Sequence, residues 1–158
     1  MPWYTPYLNG DADKRLKKAQ EEAKRIVERA KARAEQIKRN AKADVDALKR
    51  KLPQELSRIK AIHDEQLRRL QVKHDYNVKQ IMKLYPEGTQ KKLKLAEENR
   101  IYEAKVKQID QDMQRALHAA KTKNQREIDS IEVYAERTAD SEIRSAQRHA
   151  DNLVRFAK

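Results

Sequence analysis

The side chains in this sequence that could do chemistry are dispersed rather than clustered. Histidine occurs at His63, His74, His118 and His149. His63 and His74 are eleven residues apart, or three helical turns, so about 16 Å separates them and they cannot share a metal ion. They read as histidines at a helix seam or its edge, while His118 and His149 stand alone. An intermolecular metal or pH-sensing role is the alternative, and nothing in the spacing favours it. Neighbouring acids recur at Glu21-Glu22, Glu97-Glu98 and Asp110/Asp112. General acid–base work needs a desolvated pocket that splits two pKa values, and a pair of helices offers none. Glu21/Arg25, Glu35/Arg39, Glu65/Arg69, Glu103/Lys107, Asp140/Arg144 and Asp151/Arg155 are spaced i, i+4 and read as solvated helix support. The sequence has no phosphate-binding glycine loop, nucleophile motif or metal-ligand cluster. With no cysteine there is no disulfide, thiolate or Cys-based metal chemistry. The expectation is a protein that is not an enzyme and uses neither cofactor nor metal.

Two other groups of residues point to binding. The basic runs Lys14-Arg15, Lys17-Lys18, Lys24-Arg25, Lys31 and Arg33, Lys38-Arg39 and Lys49-Arg50-Lys51 surround the first half of the chain on its non-seam faces. Residues 11–85 hold 22 Lys/Arg against 12 Asp/Glu, a net 22 − 12 = +10, and residues 86–158 hold 15 against 13, a net +2. The excess is densest over residues 14–51. Such a surface either keeps long helices soluble or contacts a polyanion, and without interleaved aromatics any nucleic-acid contact would be to the backbone. The second group is Trp3, Tyr4 and Tyr7, set beside Pro2 and Pro6 in residues 1–10. These aromatics suit an anchor into the groove of a partner or a neighbouring copy. Packing on the first turn of the helix, or shallow insertion at a membrane interface, are the alternatives.

The elements that carry these residues follow from periodicity. Apolar or small residues fall at Leu16, Ala19, Ala23, Ile26, Ala30, Ala34, Ile37, Ala41, Val45, Leu48 and Leu52. The steps of three and four make an eleven-residue repeat, about 3.67 residues per turn, which favours nearly straight helices over a left-handed zipper. One column reads Ile26, Ile37, Leu48, Ile59, Leu70, Ile81, and another passes through His63 and His74. The columns pass Pro53 without a phase shift, which predicts a kink there rather than a break. Tyr85-Pro86-Glu87-Gly88-Thr89 is turn chemistry, with Thr89 as the expected N-cap. The repeat resumes beyond it, with Asn124 and Glu142 as polar defects.

The expected fold is therefore all-α: a long antiparallel two-helix hairpin with an extended N-terminal arm. Residues 1–10 form the arm, 11–85 helix one, 86–89 the turn and 90–158 helix two. Residue x should face residue 174 − x. Alanines far from the turn should then meet alanines, and bulky residues near it should meet bulky residues. Each helix would be roughly 105 Å long.

The rhythm of residues 19–47, Ala-x-x-Ile-x-x-x-Ala-x-x-x-Ala, resembles the stalk helices of rotary ATPases, including the peripheral-stalk subunits. The hairpin with a basic first helix also looks like the membrane-remodelling ESCRT-III and phage-shock proteins, without their acidic C-terminal helices. The Ala/Lys/Arg/Gln-rich composition is similar to that of helical proteins packed inside tailed-phage virions. These likenesses imply three settings: a structural building block of a large particle such as a virion, a membrane-surface assembly, or a tether in an ATPase. The first is the leading expectation. Its partners would be other subunits, copies of itself and a nucleic acid or acidic surface. No apolar run is long enough to span a membrane, and the N-terminus lacks a signal-peptide layout. An intracellular or intra-particle location is expected.

Overall fold

The computed structural model describes residues 6–158, and their side chains from residue 10 onward. It consists of two helices, α1 over Pro6–Leu84 and α2 over Thr89–Ala157, packed against each other as an antiparallel hairpin with no strand among the described residues. Helix α1 starts five residues earlier than the acids Asp11 and Asp13 suggest, so residues 6–10 are helical rather than extended. Proline suits a first helical position because its fixed φ and missing N–H cost nothing there. A glycine inside a helix costs only about 1 kcal/mol, so Gly10 does not stop it. Of the proposed anchors, Tyr7 thus lies in α1; its side chain, Trp3 and Tyr4 fall outside what is described.

Pro53 sits inside α1 and does not break it. Proline removes the N–H that would reach the carbonyl of Lys49 and crowds the preceding turn. One residue away, Asn124 Nδ2 donates to the Leu48 carbonyl oxygen at 2.9 Å. The polar defect in the repeat therefore ties α2 to the backbone of α1 in the turn that precedes the proline.

The corner comprises Tyr85 to Gly88. The Tyr85 N–H closes the last turn of α1 on the Ile81 carbonyl at 3.1 Å, and the Lys92 N–H bonds the Gly88 carbonyl at 3.2 Å. Since Gly88 accepts the first bond of α2, it occupies the cap position expected for Thr89, which is instead the first helical residue. Gly88 has φ +148°, a conformation that side-chain-bearing residues rarely adopt.

The packing divides into two compact units. One comprises residues 1–47 and 127–158, the other residues 48–126. In the first, Ala23, Ala30, Ala34 and Val45 are buried with Ile128, Ala135, Ala139, Ala146 and Ala150. Small side chains let the two backbones approach closely enough to bury these residues. In the second, Leu52, Leu56, Ile59, Leu67, Leu70 and Ile81 are only half-buried, as are Leu95, Val106, Ile109, Met113 and Leu117. Two helices meet along one line, so a bulky side chain placed on it spills to the flanks. The expected mirror distribution of small and large residues is present, and within each unit cross-helix partners obey the 174 − x rule to within two residues.

Candidate functional site

Within the second unit the seam is polar as well as apolar. The ring of His63 is mostly enclosed; its Nε2 lies 2.6 Å from Asp110 Oδ1 and its Nδ1 3.2 Å from Asp64 Oδ1. The hydrogen bond with Asp110 is the main reason that its pKa is raised above 6.5; burial opposes this and the bond with Asp64 adds to it. One helical repeat away, His74 Nδ1 lies 3.2 Å from Glu98 Oε1, which also accepts from Asn77 Nδ2 at 3.1 Å. The Tyr102 ring stacks on His74 with centroids 4.1 Å apart, and its hydroxyl donates to Gln71.

Sequence reading places these histidines at the seam but misses their partners. Asp110 and Glu98 sit near 174 − x of His63 and His74, so the register rule was the signal that could have found them. The same holds for the other polar defect: Glu142 in α2 accepts from Arg33 of α1 within the first unit. These paired polar groups disfavour a slipped register, since sliding one helix would strand them. A shallow groove of about 210 Å³ beside His63, lined by Ile59, Ile62, Gln66, Asp112, Met113 and Ala116, is open to solvent and carries no nucleophile. Among the described residues there is no group of three or more His, Asp or Glu that could hold a metal.

All thirteen basic residues proposed to face a polyanion, Lys14, Arg15, Lys17, Lys18, Lys24, Arg25, Lys31, Arg33, Lys38, Arg39, Lys49, Arg50 and Lys51, are exposed. Among the described residues, Arg33 is the one of these engaged in a salt bridge. Of the six i, i+4 pairs expected along the helices, Glu65–Arg69 is closed, at 3.0 Å. Arg68 joins it at 2.7 Å, and hydrogen bonds from Arg68 first and Arg69 second lower the Glu65 pKa to about 2. Arg58–Glu55 and Arg115–Asp112 close at i, i+3 instead.

Folding redistributes the charge in a way that counting along each helix hides. The first unit holds 17 Lys/Arg against 15 Asp/Glu, a net 17 − 15 = +2, because the basic start of α1 shares it with an acidic stretch of α2. The second holds 20 against 10, a net 20 − 10 = +10. Nearly the whole surplus of the chain thus belongs to residues 48–126, and of the proposed basic residues only Lys49, Arg50 and Lys51 lie there.

Large apolar side chains are also exposed: Ile62, Val72, Tyr76, Met82, Leu84, Leu93 and Ile101 in the second unit, and Val133, Tyr134 and Phe156 in the first. No described helix is long and apolar enough to cross a membrane. No protein-family model, characterised protein or solved structure matches the chain.

Proposed function

We propose that this protein is a non-enzymatic structural subunit, a helical hairpin that assembles with copies of itself or with other proteins in a large particle and turns a basic surface toward a polyanion. The observation that carries this reading is the incomplete core: among the described residues no large side chain is fully buried, and the second unit has no buried apolar residue at all. Helices draw most of their stability from tertiary burial, and a two-helix seam supplies little of it. Partners on the open flanks would provide the remainder. A virion interior and an ATPase stalk are both settings that supply such partners. Of the two, the virion-type particle also accounts for the +10 surplus of residues 48–126, since packaged nucleic acid is a polyanion.

The test is thermal melting across a hundredfold range of protein concentration, with molar mass followed by light scattering. Assembly raises the melting temperature with concentration by mass action. A monodisperse monomer whose melting temperature is independent of concentration and which melts no lower than an ordinary stable domain, above about 45 °C, would overturn the proposal, since such a hairpin needs no partner of either kind.

A further inference from the structure

The corner between α1 and α2 joins free positive charge to protruding apolar groups. Between Asp75 and Glu97 the chain carries Lys79, Lys83, Lys91, Lys92 and Lys94 against one acid, Glu87. Lys91 is buried and its Nζ donates to Glu87 Oε1 at 2.9 Å, so the acid is neutralised locally. Among the described residues no carboxylate lies within salt-bridge distance of the remaining four lysines; Lys79, Lys83 and Lys92 are exposed and Lys94 is half-buried. On the same few residues, Met82, Leu84 and Leu93 are 49%, 68% and 65% exposed. Met82 and Leu84 belong to the last turn of α1 and Leu93 to the start of α2. At about 1.5 Å of rise per residue, all three lie within about 8 Å of the corner along their helices.

We propose that this corner docks end-on on a lipid bilayer surface rich in anionic headgroups. Met82, Leu84 and Leu93 enter the boundary between headgroups and acyl chains, and Lys79, Lys83, Lys92 and Lys94 face the headgroup phosphates and carboxylates. The inference rests on the polyanion-facing part of the proposed function and assigns a lipid surface to the lysines of this end of the hairpin, leaving nucleic acid to the basic residues outside the corner. Charge complementarity selects the occupant. A second copy of the corner would set four unpaired lysines against four more. Nucleic-acid phosphates would engage the lysines but give Leu84 and Leu93 no reason to protrude. An acidic protein would need a socket shaped to a convex end, whereas a fluid bilayer accommodates such an end without one. As no described helix can cross a membrane, the contact is peripheral.

The experiment is co-sedimentation of the full chain with phosphatidylcholine vesicles, with and without about 30% phosphatidylserine, at roughly 0.1 M salt, beside retention on duplex DNA. Wild type should partition onto the serine-containing vesicles and not onto phosphatidylcholine alone. Leu84→Gln/Leu93→Gln should weaken partition at least about tenfold while leaving DNA retention unchanged. Lys83→Gln/Lys92→Gln/Lys94→Gln should weaken it by about fivefold per lysine.

An independent readout is Leu84→Trp in a Trp3→Phe background, whose emission should shift to the blue on anionic vesicles. The proposal is overturned if wild type ignores anionic vesicles, if the leucine variant binds them as well as wild type, or if the tryptophan emission does not move. Circular dichroism confirms that each variant is folded. Light scattering without vesicles reports assembly separately, so loss of lipid binding and loss of assembly are distinguishable.

Discussion

At the level of single residues, the informative positions are those where the eleven-residue repeat is violated. His63, His74, Asn124 and Glu142 each interrupt an apolar column, and each has a polar partner on the opposite helix. His63 makes this arrangement dependent on pH. Its folded pKa lies above 6.5 because Asp110, and then Asp64, stabilise the imidazolium. A raised histidine pKa contributes stability that is fully present below the unfolded value of about 6.5 and lost as pH rises through the folded value. Unit 48–126 should therefore lose stability between mildly acidic and mildly alkaline pH. In His63→Asn that slope should shrink, whatever the change in absolute stability. Melting temperatures of both proteins at several pH values check this, and parallel slopes would show that the Asp110 contact contributes nothing.

At the level of elements, the two helices follow from composition and the corner from one glycine. Glycine occurs twice in 158 residues, and Gly10 is absorbed into α1. Gly88 is different, because its φ of +148° excludes most side chains although a Cβ there would meet nothing within 4 Å. Gly88→Ala should therefore destabilise the hairpin by about 1–3 kcal/mol through backbone strain, with no steric clash to add. Urea denaturation measures this; a change below about 0.5 kcal/mol would mean that the corner relaxes to another conformation without loss. The alanine seam and the bulky seam are two solutions to one packing problem. The first buries its seam residues because its side chains are short. The second leaves its flanks open, which is why the exposed leucines and the proposed surfaces gather there.

At the level of the whole molecule, the charge balance between the units sets an expectation about salt. Like charges repel within a compact state, and added electrolyte screens them. Unit 48–126, at +10, should gain stability as NaCl rises from about 50 to 500 mM, whereas residues 1–47 and 127–158, at +2, should change little. Amide hydrogen exchange resolved along the chain reads both at once. A uniform response over all residues would show that ion pairs such as Glu65–Arg68, which salt weakens, offset the repulsion.

Much of this protein was legible in its sequence. The two helices, the corner after Leu84 and the pairing of x with 174 − x depend on steps of three and four residues and on Pro86 and Gly88, all short-range features. The helix start at Pro6 and the capping by Gly88 were misplaced because several local signals competed within a few residues. Tertiary structure alone decided which charges share a unit and which polar residues meet. Arg33 and Glu142 are far apart in sequence, and no count along one helix can show that the basic start of α1 is balanced by α2 while residues 48–126 keep their surplus. Coulomb and hydrogen-bond energies depend on distance in space, and that distance is fixed only when the chain has turned its corner.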